Sequence, residues 1–381
     1  MTRHATNTRR KFLKVLHGNL RRGLRNEAPR AWLHWEHLRH WIEGEDLEAA
    51  AAVAARTFGV QRASLTRQVP AGSLDELAAA VAEAAGDRVA GKTFAVRVKK
   101  RTPQPWRTQE AERELGSRLY DRSAGVNLTA PQELVRVEVI HDQGHLVETV
   151  LEGPDGLPLG TQDRNLALIS GGFDSVVAAW MMVRRGSPSD FVHFTLDCAE
   201  TGHALAVAHT MHQRWGHGDR AVVHVVDFQP IKQALLDRVD GRLRQVVLKQ
   251  LMVTAADLVA EELGTDALVT GEAVGQVSSQ TLKHLAEIDR ACDRVVLRPL
   301  AGHNKQEIID WSRRIGSHDI TARTVEVCDL SDGPVAVAAA RDQLDAARER
   351  LPEELVRDAV ATREWLPIDE FMPGEPLRPL Q

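Results

Sequence analysis

Cysteine is nearly absent. Three occur in 381 residues, Cys198, Cys292 and Cys328, too few and too scattered for a disulfide scaffold or a four-ligand zinc site. In a reducing compartment they are free thiols. No apolar run reaches the roughly 18 residues of a membrane-crossing helix. The basic N-terminus lacks the apolar stretch of a secretory signal, so the cytoplasm is expected. Internal repeats and low-complexity tracts are also missing. What remains is ordinary for a folded protein, with 43% apolar and 27% charged residues and length for two or three domains. A net charge of −5 excludes a general polyanion binder. The charge is uneven, however: residues 1–30 hold nine Lys or Arg against one acid, Glu27. A second basic stretch reads Arg97, Lys99, Lys100, Arg101. Each cluster could be a solvated helix or strand face, or a local docking site for a polyanion.

The hydrophobic pattern divides the chain. In 9–25, Phe12, Leu13, Val15, Leu16, Leu20 and Leu24 share one helix face. Residues 32–42 read as a strand or strand pair, 47–57 as an alanine-rich helix and 59–65 as a strand, making a small α+β unit over 1–65. A helix over 74–87, a strand over 92–100, a helix over 110–120 and a hairpin of 134–140 with 146–151 make a second α+β unit over 66–152. Gly153, Pro154, Gly156, Pro158 and Gly160 mark a linker over 153–164. From 165 to 381, strands at 166–169, 191–196, 221–228, 267–269 and 295–297 alternate with helices. That pattern predicts an α/β domain with a doubly wound parallel sheet. The stretch 335–365 reads as helical and charged.

One string carries the chemistry. Ser170-Gly171-Gly172-Phe173-Asp174-Ser175 follows the first strand of that sheet and opens a helix. Two glycines allow close backbone approach to an anion, and the helix start supplies unpaired N–H groups. Ser170 and Ser175 add hydroxyls. No lysine follows, so this is not the common triphosphate loop, and it is not a dinucleotide GxGxxG. The shape suits a pyrophosphate, with Asp174 placed to help hold a magnesium ion. A plain turn with a capping aspartate is the bland alternative.

The string resembles the pyrophosphatase-loop ATPases, which split ATP to AMP and pyrophosphate. The segments VLK at 247–249, LVTGEAVGQVSSQT at 268–281 and LRPL at 297–300 narrow the resemblance to the tRNA 4-thiouridine synthetases, or tRNA sulfurtransferases. GKTF at 91–94 with the basic strand resembles that family's RNA-binding THUMP domain, and GLPLGTQ at 156–162 resembles its linker. The resemblance implies a ferredoxin-like unit, a THUMP domain and a pyrophosphatase-loop ATPase domain. It places Leu168, Ile169, Ser170, Gly171, Gly172, Ser175, Lys249, Gly271 and Gln280 at ATP-binding positions. Asp174, Lys305 and the sulfur-carrying Cys328 fall at catalytic ones. It implies ATP and Mg2+, with no fixed protein metal site and no tightly bound cofactor, a tRNA partner whose uridine 8 is the target, and allows a homodimer.

The chemistry fits such an assignment. The uridine C4 oxygen is a poor leaving group that adenylation converts into AMP. A persulfide on Cys328 is a better nucleophile than a thiol, which is largely protonated at neutral pH. Cys198, just past a strand, is a candidate second thiol, and Cys292 a structural cysteine. The family pattern differs here in two ways. No rhodanese-like segment or further cysteine follows Cys328, so the short form is expected to draw sulfur from a cysteine desulfurase or a separate persulfide carrier, and any thiamine role stays open. The ferredoxin-like unit also lacks room for a first strand before Arg9, so either the start residue is misassigned or the unit has an open strand edge. For tRNA, Arg9, Arg10, Lys11, Lys14, Arg21 and Arg22 on the first helix, with Lys92, Arg97, Lys99, Lys100 and Arg101 on the strand, form the expected phosphate-binding face. One Tyr and eight Phe argue for recognition of folded shape over base stacking. The rival readings are a catalytically silent tRNA-binding factor and another adenylate-forming ligase.

Overall fold

The computed structural model describes residues 6–36, 39–322, 330 and 336–372. Helix α1 (Thr6–Glu27) buries Phe12, Leu13, Leu16, Leu20 and Leu24, the stripe the spacing predicts. Each such side chain contributes roughly 1.5–3 kcal/mol of burial. It packs with a two-stranded antiparallel ribbon, β1 (Ala31–Glu36) and β2 (Arg39–Gly44), and with α2 (Leu47–Ala54).

The next strand, β3 (Arg62–Pro70), does not join that ribbon. It pairs with β7 (Gln143–Glu152) from Arg62↔Glu152 to Pro70↔Gln143. The boundary expected at 65/66 therefore falls inside a strand of the second unit, whose sheet draws the backbone groups of 62–65. That unit adds α3 (Leu74–Val89), β4 (Thr93–Lys100), α4 (Thr108–Tyr120), β5 (Gly125–Val126) and β6 (Glu133–Ile140). Its five strands run β3-β7-β6-β4-β5, and α3 and α4 cover one face through Leu77, Val81, Leu115 and Leu119. The other face looks toward α1 and α2.

Residues 153–164 are packed rather than loose. Leu157 N–H donates to Arg184 O and Gly160 N–H to Gly186 O, at 3.0 Å each. Gly156 has φ +80°, and a Cβ there would lie 2.1 Å from Arg184 O, so the left-handed turn and the close approach both require glycine. Asn19 Nδ2 on α1 reaches Leu159 O at 3.0 Å, and Phe58 packs against Trp180 and Trp215. These contacts seat the first unit on the third.

The third unit alternates as expected: β8 (Asn165–Leu168), α5 (Phe173–Val183), β9 (Ser189–Thr195), α6 (Cys198–Trp215), β10 (Val222–Asp227), α7 (Gln229–Arg238), α8 (Arg244–Leu263), β11 (Ala267–Val269), α9 (Leu282–Asp289), β12 (Val295–Leu297), α10 (Lys305–Ile315) and α11 (His318–Thr321). Its end differs from the expectation. After α12 (Arg341–Arg348) and α13 (Leu355–Ala361), Glu364–Pro367 forms β13, antiparallel to β10. Four residues are too few to show alternation in sequence. The sheet order is β12-β11-β8-β9-β10-β13, and β8 through β12 are parallel. From β8 the chain winds outward through β9 and β10, then crosses back to β11 on the opposite side of β8. That reversal opens a crevice at the strand ends between β8 and β11. Val176, Trp180, Leu205 and Ile308 fill one face of the sheet, and Leu235, Val247, Leu251 and Leu344 the other.

Candidate active site and nucleic-acid interface

Loop 170–175 leaves β8 at this crevice. Ile169 N–H continues the ladder to Val192 O at 2.9 Å. Its carbonyl accepts from His193 Nδ1 at 3.1 Å, and burial pushes the His193 pKa down, so the ring is a neutral Nδ1–H donor. Gly172 caps α5, so the first N–H groups of the helix face the loop. The two serines bond to each other within the loop. Ser170 N–H donates to Ser175 Oγ at 3.0 Å, and the two hydroxyls lie 3.0 Å apart. Ser175 braces the loop, while Ser170 is exposed.

A second loop, after β11, lies against the first. A Cβ on Gly271 would sit 2.6 Å from Asp174 C and Ser175 N, so only glycine lets the two backbones touch here. Beyond it Gln276 Nε2 donates to Asp174 Oδ2 at 2.9 Å. Lys305, the first residue of α10, donates to both Asp174 oxygens at 3.0 and 3.2 Å. Asn304 caps that helix, and Glu307 closes the box. The Lys305 ammonium also lies 5.6 Å from the Phe173 ring centre. Asp174 and Lys305, 131 residues apart, thus meet at the loop.

Lys249 sits on α8, half-buried rather than on the surface. Its ammonium is 3.9 Å from Glu272. The buried Glu272 carboxylate also accepts from Arg298 Nε at 2.9 Å and Thr270 Oγ1 at 3.1 Å. Gln280 is buried, and its Oε1 accepts from Ala273 N at 3.3 Å, which braces the loop from within. His284, fully buried, donates from Nδ1 to Ser278 O and accepts at Nε2 from Ala339 N–H. It joins this loop to the segment after residue 335. Cys328 and the side chain of Cys198 lie outside the described residues. Backbone placement puts Cys198 at the start of α6, just beyond β9. Cys292 donates to Arg294 O at 3.5 Å, and burial pushes its thiol up.

Sequence reasoning passed over Gln276, Glu272 and His193 as site residues. Gln276 and Glu272 stand inside the 268–281 string, but only the fold shows what they touch. His193 is a lone polar residue in an apolar strand, and that is its only signal.

The basic residues separate into free and committed ones. Arg9, Arg10, Lys11, Lys14, Arg21, Lys92 and Lys99 are exposed. Arg22 instead donates to His217 O at 3.2 Å, clamping α1 to the third unit. Arg97 donates to Leu128 O, Lys100 to Trp106 O, and Arg101 to both oxygens of Glu138. Between α1, α2 and the open face of the five-stranded sheet runs a groove of about 870 Å³. Arg9, Arg97, Lys99 and Arg101 line it, joined by Arg39 and Arg136, against the acids Glu112 and Glu138. The aromatic count from Tyr and Phe also misses the eight tryptophans. Trp32 is 57% exposed and Trp35 40%, both on the β1–β2 ribbon, where they offer flat surfaces for stacking.

Among known proteins, the family model described as thiamine biosynthesis protein (ThiI) matches residues 160–351, and the THUMP domain model matches 71–146. The tRNA sulfurtransferase of Desulfurococcus amylolyticus is 39% identical over 320 residues, 83% of this chain and 66% of that one. That of Klebsiella pneumoniae subsp. pneumoniae is 36% identical over 378 residues, 97% of this chain and 78% of that one. The chain therefore spans 66% to 78% of the length of these two relatives. A crystal structure of a 4-thiouridine synthetase–RNA complex with bound ATP superposes with a TM-score of 0.82 at 24% identity, covering 96% of each chain. It shows the same fold.

Proposed function

This chain belongs to the tRNA sulfurtransferase family of enzymes, and from that premise we propose that it uses ATP to put sulfur on uridine 8 of tRNA, giving 4-thiouridine, AMP and pyrophosphate. The observation that carries the reading is the meeting of loop 170–175, Asp174 and Lys305 at the crevice between β8 and β11. The N–H groups at the start of α5 bind the β- and γ-phosphates, which the glycines of loop 170–175 let approach closely. Leu168 and Ile169 lie beside the nucleotide, with Lys249, Gly271 and Gln280 on its other side. The uridine C4 oxygen attacks the α-phosphorus, and pyrophosphate leaves. Lys305, drawn from Asp174 toward the phosphates, stabilises the charge that develops there.

Magnesium would neutralise the departing pyrophosphate. Among the described residues no three His, Cys, Asp or Glu side chains gather as a metal site, so one carboxylate, Asp174, would share the ion with the phosphates. The residues present fit that role: Asp174 lies at the loop, and the buried Gln276 Oε1 beside it has no hydrogen-bond partner among the described residues.

The terminal sulfur of a Cys328 persulfide then attacks C4, and AMP leaves. A second thiol, with Cys198 the candidate, takes Cys328 into a disulfide and frees the sulfur on C4. An external thiol resets the pair, and a cysteine desulfurase or separate carrier reloads it. No helix among the described residues is long and apolar enough to cross a membrane, and we place the reaction in the cytoplasm. The groove between the first two units holds the tRNA, with the exposed cations of α1 and β4 on its phosphates.

The test incubates purified protein with ATP, Mg2+, transcript tRNA and a persulfide source. AMP and 4-thiouridine are expected, the latter read by mass spectrometry of the digested RNA. No AMP under these conditions rules the proposal out.

A further inference from the structure

We propose that Gln276 is a positioning residue that holds one oxygen of Asp174 and leaves the other to the magnesium ion of MgATP. This deepens the function proposed above and rests on it.

Three observations lead here. First, Asp174 Oδ2 is held twice, by Lys305 at 3.2 Å and by Gln276 at 2.9 Å, whereas among the described residues Oδ1 is held by Lys305 alone, at 3.0 Å. The two donors differ in kind. A triphosphate competes for the ammonium of Lys305 with several negative charges, but it has little hold on a neutral amide. When Lys305 turns to the phosphates, Gln276 keeps Oδ2 in place and only Oδ1 becomes free. A carboxylate restrained on one oxygen is set to bind a cation through the other.

Second, the direction of the Gln276 amide is not arbitrary. A carboxylate has only lone pairs to offer, so the amide nitrogen must face Asp174. The oxygen then points the other way, where it is buried and meets no donor among the described residues. A buried acceptor without a donor costs about 1–3 kcal/mol. That cost accompanies an orientation whose gain is the bond from the amide nitrogen to Asp174.

Third, the backbone carrying Gln276 is fixed. Gly275 N–H donates to Gln280 O at 2.8 Å and Gln276 N–H to Ala273 O at 3.3 Å. Gly275 takes φ +75°, a left-handed turn that aims the next side chain at α5.

The experiment measures ATP affinity of the full-length protein by calorimetry, without tRNA, as Mg2+ is raised from zero. Wild type is compared with Gln276→Met, which keeps length and loses donor and acceptor, and with Gln276→Glu. For Gln276→Met the Mg2+ concentration giving half the effect should rise about tenfold or more, with a smaller change in Mg2+-free ATP affinity. Gln276→Glu keeps the shape but cannot donate to Asp174, so it should not restore the wild-type Mg2+ dependence. A Gln276→Met protein with wild-type Mg2+ dependence overturns the proposal. So does an equal loss of ATP affinity with and without Mg2+. Wild-type protein that binds no ATP at any Mg2+ concentration instead overturns the ATPase reading beneath it.

Discussion

At the scale of single residues, the site depends on what is small or neutral as much as on what is charged. Gly271→Ala would push a methyl group to 2.6 Å from the α5 backbone. The expected cost is about 1–3 kcal/mol of stability and at least a tenfold loss of ATP affinity (roughly, since about 1.4 kcal/mol is tenfold), read by melting and calorimetry. His224 on β10 is a second case. It is 4% exposed, and burial, helped by Arg363, pushes its pKa from 6.5 to about 4. The unfolded chain therefore takes up the proton first as pH falls. The stabilising effect is full above 6.5 and is lost on the way down toward 4, about 2 kcal/mol of it between pH 7 and pH 5. His224→Leu should flatten that part of the stability–pH curve, as measured by denaturant unfolding at both values.

At the scale of elements, α1 has two jobs on two faces. Its apolar stripe and Arg22 hold it to the rest of the molecule, while Lys14 and its exposed neighbours face solvent. Lys14→Ala should weaken tRNA binding and reduce the log–log salt slope by roughly one, with the melting temperature unchanged. Arg22→Ala should do the reverse, lowering the melting temperature through the lost bond to His217 O while leaving the slope nearly intact. The ribbon β1–β2 belongs to the same proposed interface. Trp35 stacks near His40 at 5.9 Å, and the Trp35→Ala variant should lose about 1–3 kcal/mol of RNA affinity, the range of one base–aromatic stack, read by filter binding at fixed salt.

At the scale of the molecule, the proposed RNA groove and the proposed ATP crevice sit on different units joined by packed contacts, so binding, activation and sulfur transfer should be separable by mutation. Asp174→Asn should retain tRNA affinity and lose AMP formation by a factor of roughly a hundred or more. Cys328→Ser should still release AMP when tRNA and ATP are present, yet give no 4-thiouridine. A Cys198→Ser protein should complete one turnover and stall without added thiol. All three are read by thin-layer analysis of labelled ATP beside mass spectrometry of the RNA.

Local pattern in the amino-acid sequence was enough to specify most elements, the alternating α/β order and the glycine-rich turn, because each depends on periodicity or on a conformational need that a few adjacent residues express. It was also enough to place Asp174 where a glycine-rich turn opens a helix, whereas Gly271 came from the family resemblance. Only the folded chain decided that β3 belongs to the second sheet, that 364–367 pairs against β10, and that Lys305 and Gln276 converge on Asp174. The same holds for the basic residues, where Arg22 and Arg101 already have partners and Lys14 and Lys99 face solvent. The reason is sequence distance: an ion pair across 131 residues, or a strand pairing across 73 to 90, leaves no local trace, since either partner alone resembles an ordinary surface lysine or a short apolar run.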